Sequence, residues 1–280
     1  MSLLIFRLVA LIRPLNGGGK GPCTRIQFLL SIFLSIPAWL QAQTDGTDRS
    51  IGFQTNFARQ AQAHFEAAQK KLAASPADAE AAWRLGQASF DWAEYATSKA
   101  QRASIAGIGA AACRELLQRT PDSAAGHYYL GMNLAQIART KRLSALSVVE
   151  EMEKEFTAAL GLDPKFDFAG ADRNLGLLYH DAPGWPISVG SKSKAAERLT
   201  AAVKLAPGYP ENLLNLAEAR LDWGEPVEAE KELKNLLGIW PAAKKQFTGM
   251  EWEASWVDWE KRRKELEKQL GEKHKPTGSR

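Results

Sequence analysis

The chain has 280 residues, of which 45% are hydrophobic and 24% charged, a composition typical of a globular protein with a sizeable core in one or two domains. Its formal net charge of +4 arises within residues 1–42, which contain Arg7, Arg13, Lys20 and Arg25 and no Asp or Glu. The rest of the chain has 32 basic and 32 acidic residues. It therefore lacks the basic surface that nucleic-acid binding requires, and DNA and RNA are not expected as partners.

The first 42 residues have the pattern of a secretory signal peptide. A positively charged stretch ends at Arg25, the apolar run 26–36 follows, and the small residue Ala42 precedes the expected cleavage site. The run is shorter than the roughly 20 residues that cross a bilayer, so a retained membrane anchor is the less favoured alternative. We expect a periplasmic or secreted protein without a stable membrane anchor, which begins near Gln43 with a linker over 43–50.

Apolar residues at helical spacing then predict a lone helix before Pro76, where the regular part of the chain starts. This stripe consists of Phe53, Phe57, Ala61, Phe65, Ala68 and Leu72.

An internal repeat follows, marked by the pairs Leu85-Gly86, Leu130-Gly131, Leu175-Gly176 and Leu216-Ala217. In three of the four units a proline stands 9 residues before the leucine, and before Leu175 the distance is 11. The offset of 9 matches a tetratricopeptide repeat, in which proline ends one helical hairpin and leucine lies in the first helix of the next. The fold class predicted for residues 51–241 is an all-α, tetratricopeptide-type solenoid of helical hairpins; an unrelated amphipathic bundle is the alternative.

The second helix of each unit supports this prediction. Counting back from the terminal proline, the repeat requires a small residue, a large one and a small or apolar one, because small side chains let paired helices approach closely. Three units fit this pattern, except that one of them has Met152 where a small residue is required. The unit before Pro121 fits less well. The matching positions are Ala195, Leu199 and Ala202; Met152, Phe156 and Ala159; Ala229, Leu233 and Leu236; and Gly109, Cys113 and Leu116.

The first three units are longer than the standard repeat of about 34 residues, since successive prolines lie 45, 43, 43 and 34 residues apart. In the first three units the excess falls between the paired helices. Insertions on one edge of a solenoid commonly build a binding surface. Lengthened helices without a partner role are the alternative.

Two candidate binding surfaces result. The first is the concave groove, which is lined by the residues 2 positions before and 2, 5 and 6 positions after the leucine of each unit. The second is the loop 182–186, in which two prolines stiffen the chain around Trp185. Trp185 is either a buried plug over the helix pair or a contact for a partner. The predicted binding residues are Trp83, Gln87, Tyr128, Met132, Gln136, Arg173, His180, Trp185 and Glu218, and the remaining groove positions are Phe90, Asp91, Ala135, Leu177, Asp181, Leu214, Leu221 and Asp222.

At the C-terminus, residues 242–272 are predicted to form a capping helix. Thr248 and Glu251 have capping-box spacing, and an apolar stripe follows that is more often a buried cap than a ligand platform. The tail 273–280 is expected to be disordered. The stripe consists of Trp252, Trp256, Trp259, Leu266 and Leu270.

No motif indicates catalysis or a bound cofactor. The histidines His64, His127, His180 and His274 lie far apart in sequence and lack the spacing of a metal site, and Cys113 would be the sole cysteine of the mature chain. We therefore expect a protein that is not an enzyme and has neither metal nor cofactor. An active site assembled from distant residues is the alternative.

The stretch 126–219 resembles the T-component family associated with tripartite ATP-independent periplasmic (TRAP) transporters. The resemblance implies a periplasmic helical protein that mediates protein or solute binding beside an extracytoplasmic solute-binding subunit; a structural scaffold for an envelope assembly is the alternative. Many members are lipoproteins, whereas Cys23 precedes the apolar run here and cannot be the lipid-modified residue. The matching segments are His127-Tyr-Tyr-Leu-Gly-Met-Asn133, Leu162-Asp-Pro164, Arg173-Asn-Leu-Gly-Leu-Leu-Tyr179, Ala182-Pro-Gly-Trp-Pro186 and Ala206-Pro-Gly-Tyr-Pro-Glu-Asn212.

Overall fold

A computed structural model of the protein describes residues 41–141 and 145–273, with side chains for 56–141 and 145–272. The described residues form ten α-helices and no strand. These helices are α1 (Gln41–Ala74), α2 (Ala79–Glu94), α3 (Lys99–Arg119), α4 (Ala124–Ala138), α5 (Ala145–Leu162), α6 (Phe166–Asp181), α7 (Lys192–Leu205), α8 (Pro210–Asp222), α9 (Pro226–Gln246) and α10 (Met250–Lys273).

The helices pack as four successive hairpins, α2 with α3, α4 with α5, α6 with α7 and α8 with α9. Helix α1 packs against α2 at one end, and α10 packs against α8 and α9 at the other. Each hairpin coincides with one unit predicted from the leucine and proline spacing. The predicted all-α helical-hairpin solenoid is confirmed.

The Leu-Gly pairs are explained by how closely the two helices of a hairpin approach. A Cβ atom built on Gly131 would lie 2.7 Å from the Phe156 ring, and one on Gly176 would lie 2.6 Å from Leu199. Gly86 meets the Cys113 sulfur in the same way, at 2.4 Å. Glycine is therefore required because the large residue of the second helix packs directly on the first helix.

The same packing encloses the Cys113 side chain. Its side chain is buried, and burial raises the pKa of the thiol to about 12, so the reactive thiolate is scarce at neutral pH.

The excess residues of the long units have two different structural outcomes. In the first unit they lengthen α3 to 21 residues, because its helical pattern continues without a breaker and the turn 95–98 stays short. In the third unit they form the loop 182–191 between α6 and α7. The prediction of inserted turns is therefore wrong for the first unit, where the alternative of a lengthened helix applies.

Two predicted boundaries near the C-terminus are corrected. Pro241 lies inside α9, which continues to Gln246; its ring deprives only the Leu237 carbonyl of a partner, and residue 237 is exposed to water. Because α10 begins at Met250, its N-cap position is Gly249 and not Thr248.

At the N-terminus, helix α1 begins at Gln41, so residues 43–50 are helical where a linker was predicted. The predicted signal peptide, apart from its last two residues, and the tail 274–280 lie outside the described residues. Among the described helices, none has the length and apolar character that crossing a bilayer requires.

Candidate functional site

Four of the nine predicted binding residues are core residues in the structure. Tyr128, Gln136 and Arg173 have side chains with 0% exposure, and Met132 has 2%. A partner could reach them only if the solenoid opened. The expectation that they are partly exposed contacts is therefore wrong.

Arg173 is buried because the chain wraps back over it in a left-handed turn within the N-terminal part of α6. Asp167, Phe168 and Ala169 have φ values of 49°, 56° and 62°, a conformation that costs L-residues roughly 1–2 kcal/mol each. The Arg173 guanidinium donates to the carbonyl oxygens of Asp167 and Phe168 at 3.1 and 3.2 Å and lies 2.7 Å from the Asp167 carboxylate. These bonds offset the strain of the turn.

Further buried polar side chains join this turn to the neighbouring units. Tyr128 on α4 donates to Asp167 at 2.5 Å, and Asn212 on α8 donates to the Phe168 carbonyl at 3.0 Å. Burial and the adjacent carboxylate raise the pKa of Tyr128 well above its ordinary value. We call Tyr128, Asp167, Arg173, Asn174 and Asn212 the inter-repeat cluster, since it connects the second, third and fourth units.

The sequence contained one signal for this cluster. The distance from Pro164 to Leu175 is 11 residues, two more than in the other units. The two additional residues lie in the segment that contains the left-handed turn.

Gln136 is buried for a different reason, because the lengthened α3 covers it. It accepts from Arg102 at 2.6 Å and donates to the Glu94 carboxylate, which also pairs with Arg139 at 2.7 Å. Burial raises the pKa of Glu94 despite these partners. Gln136 therefore faces α2 and α3 and not the groove.

Two other predicted residues, His180 and Glu218, lie together in a cavity of about 320 Å³ between α6, α8 and α10, which we call the α6–α8–α10 cavity. His180 lies 2.7 Å from the Asp181 carboxylate. Glu218 accepts from Arg262 through both oxygens, at 3.0 and 2.9 Å. The structure thus brings together groove positions of the third and fourth units.

Helix α10 forms one wall of this cavity and occupies the concave surface of the fourth unit. Trp259, Leu266 and Leu270 are buried, with 1%, 2% and 4% exposure. Trp256 is partly buried and donates to the Phe247 carbonyl at 2.7 Å. The tryptophan stripe is therefore packed against the solenoid, as predicted for a buried cap.

Gln87 and Trp83 lie away from this cavity. Gln87 lines a second cavity, of about 340 Å³, between α1, α2 and the first turn of α10. Trp83 stacks on Tyr129 with ring centroids 5.7 Å apart, and the Arg84 guanidinium lies 3.9 Å from the centroid of the Trp83 ring. The predicted groove residues therefore belong to separate environments.

The loop 182–191 presents Trp185 to solvent with 89% of its surface exposed, and Ile187 with 64%. The loop backbone is braced, because Gly190 donates to the Pro183 carbonyl at 2.9 Å and Ser191 donates to that of Tyr179 at 2.8 Å. Trp185 is therefore no buried plug, and that interpretation is wrong.

A third exposed apolar residue lies on the same edge of the solenoid. Val227, in the first turn of α9, is 72% exposed. The ion pair of Lys192 with Glu225, at 2.6 Å, joins the start of α7 to the start of α9. We call Trp185, Ile187 and Val227 the apolar edge.

Comparison with known structures settles the fold. The chain is similar to the crystal structure of TTC0263, a thermophilic TPR protein of Thermus thermophilus, with a TM-score of 0.57 and 20% identity over 78% of this chain and 95% of that one. The fold is a tetratricopeptide-repeat solenoid. Two crystal structures of MamA match this chain with TM-scores of 0.46 and 0.45, identities of 20% and 17%, and coverage of 65% and 71% of this chain and 89% and 96% of theirs. No family model and no curated protein matches it.

The described part of the solenoid contains no group of three or more His, Cys, Asp and Glu side chains that could hold a metal ion. The polar clusters it does contain are ion pairs and hydrogen bonds between helices. The arrangement offers surfaces for binding, at the apolar edge and in the two cavities.

Proposed function

We propose that this protein is a periplasmic or secreted binding module that docks a protein partner through the apolar edge. The observation that carries the proposal is Trp185, a large aromatic side chain that is 89% exposed on a braced loop. Tryptophan is enriched among the few residues that dominate the affinity of an interface. A loop held by its own backbone hydrogen bonds loses little conformational entropy on binding.

The proposed partner is the extracytoplasmic solute-binding subunit of a TRAP-type uptake system, with this protein as its accessory. The support is the resemblance described above, whose most specific segment, Ala182-Pro-Gly-Trp-Pro186, is the loop that exposes Trp185. The module performs no chemistry of its own in this proposal. Export to the periplasm would bring it to the compartment of such a subunit.

A photo-crosslinking amino acid at position 185 tests the partner. We expect it to crosslink in cells to a solute-binding subunit, identified by mass spectrometry. The matched control carries the crosslinker at Leu162, which is 44% exposed and lies at the opposite end of a hairpin, and should give no such product. Crosslinks to components of another envelope assembly, or to none, would overturn the transport role.

Purified components give the energetic test. Trp185→Ala should weaken binding of the identified subunit by about 30-fold, the equivalent of a hot-spot loss of roughly 2 kcal/mol. Val227→Ala, at the margin of the edge, should have a smaller effect. Release of a chain beginning near Gln43 by osmotic shock tests export, and a full-length chain confined to the cytoplasm would contradict it.

A further inference from the structure

The α6–α8–α10 cavity has the size and polarity of a small-molecule site. Its volume of about 320 Å³ lies at the lower end of the range of roughly 300–1,000 Å³ found for ligand pockets. It lies on the concave side, away from the apolar edge. Its polar lining residues are His180, Asp181, Asn215, Glu218, Asp222, Asp258, Lys261, Arg262, Glu265 and Gln269.

The most buried cation of the lining, Arg262, is already used by the protein. Besides its two bonds to Glu218, it donates to Asp258 at 3.2 Å and to the Asn215 side-chain oxygen at 2.5 Å. A ligand carboxylate would have to displace these partners. Arg262 therefore shapes the wall of the cavity and is not a receptor for anions.

The remaining charges favour a cation. Five carboxylates line the cavity against the two cations Lys261 and Arg262. The side chain of Asp222 is 43% exposed, and its carboxylate oxygen lies 3.8 Å from the Nε2 atom of His180. Because that separation exceeds a hydrogen bond, the Asp222 carboxylate retains the capacity to accept from an ammonium group.

Asn215 adds a second requirement, independent of charge. Its side chain is 1% exposed, and its amide nitrogen has no hydrogen-bond partner among the described residues, although its oxygen is bound by Arg262. A buried donor left without an acceptor costs roughly 1–3 kcal/mol. An acceptor group on a ligand in the cavity would satisfy it.

We propose that this cavity binds a small molecule with a hydrogen-bond acceptor at one end and a primary ammonium group at the other, the pattern of an amino acid. Asn215 donates to the acceptor, and Asp222 pairs with the ammonium. This site is independent of docking at the apolar edge, since the two surfaces share no residue.

Isothermal titration calorimetry of the purified protein with three probes tests the proposal. The probes are 6-aminohexanoate, which carries both groups, hexanoate, which carries the acceptor alone, and hexylamine, which carries the ammonium alone. We expect 6-aminohexanoate to bind at least about tenfold more tightly than either. Equal binding of all three, or no binding at about 10 mM, would overturn the proposal.

Variants locate the site. Asp222→Asn should weaken 6-aminohexanoate by about tenfold and leave hexanoate unchanged. Asp122→Asn, in the exposed turn before α4, is the matched control and should change nothing. Asn215→Leu should remove the preference for 6-aminohexanoate, which carries the acceptor, over hexylamine, which lacks it. If this variant does not fold, Asp222→Asn and the titrations of the wild type with the three probes still test the proposal. Undiminished binding by Asp222→Asn would contradict the assignment.

Trp185→Ala separates this proposal from the docking function. It should bind 6-aminohexanoate as the wild type does while losing the protein partner. Loss of both activities would show that the cavity and the apolar edge are one site and would overturn the independence claimed here.

Discussion

Replacing Arg173 with methionine tests the inter-repeat cluster, because it removes the charge while keeping most of the side-chain volume. The change leaves the Asp167 carboxylate buried without its cation, since the two side chains are 1% and 6% exposed. Breaking a buried ion pair from one side costs about 3–5 kcal/mol. The left-handed turn loses two carbonyl contacts in addition, which places the expected loss near the upper end of that range.

Urea unfolding followed by circular dichroism measures this loss, and thermal unfolding should show a fall in Tm of roughly 8–16 °C for a loss of about 4 kcal/mol. The matched control is Arg114→Met, which removes an exposed ion pair with Glu151 at 2.8 Å and should cost less than about 1 kcal/mol. Adding Asp167→Asn to Arg173→Met should restore part of the stability. A loss below about 1 kcal/mol for Arg173→Met would refute the argument that the charge holds the turn.

Four further predictions concern other parts of the fold. Gly131→Ala should destabilise the protein by about 1–3 kcal/mol, since its Cβ would meet Phe156; Phe156→Leu should relieve this clash in a double-mutant cycle, and additive losses would contradict it. Burial raises the pKa of Glu211 from 4.5 to about 7 despite nearby arginines. The folded state therefore retains a proton that the unfolded chain releases, so the free energy of unfolding falls by up to about 3 kcal/mol as the pH rises between these values. Denaturation curves of Glu211→Gln should lack that fall, and a pH profile unchanged from that of the wild type would refute it. The native Cys113 peptide should resist iodoacetamide at pH 8, by mass spectrometry, until the protein unfolds; rapid native labelling would show that the thiol is accessible. Trp185→Ala should change the free energy of unfolding by less than about 1 kcal/mol, because the side chain is largely exposed; a larger loss in urea unfolding would indicate a core role.

The repeat itself could be predicted from the sequence. Proline and the pair of leucine with a small residue recur at similar offsets at the start of each unit because one hairpin geometry is used four times, and each position has a packing requirement that only certain residue sizes meet. Gly131 and Phe156 illustrate this, since the small residue and the large one are the two sides of a single contact. The packed position of the tryptophan stripe could be predicted from a different periodicity, the spacing of three to four residues along one face of a helix.

The binding surfaces depended on the tertiary structure. The concave positions of a standard repeat are open to solvent, but Arg173 lies under a left-handed turn and Gln136 under the lengthened α3. The sequence of the loop around Trp185 is compatible with a buried or an exposed tryptophan. Only the path of the loop backbone shows which of the two applies.

The sequence by itself determined the fold class, the number of hairpins and the residues that pack within each one, because these contacts are local and repeat at a fixed spacing. Only the tertiary structure decided which groove residues stay accessible and that His180 and Glu218 share a cavity closed by α10. The physical reason is sequence distance: Arg262 binds Glu218 from 44 residues away, and no local pattern encodes how α10 folds back into the groove.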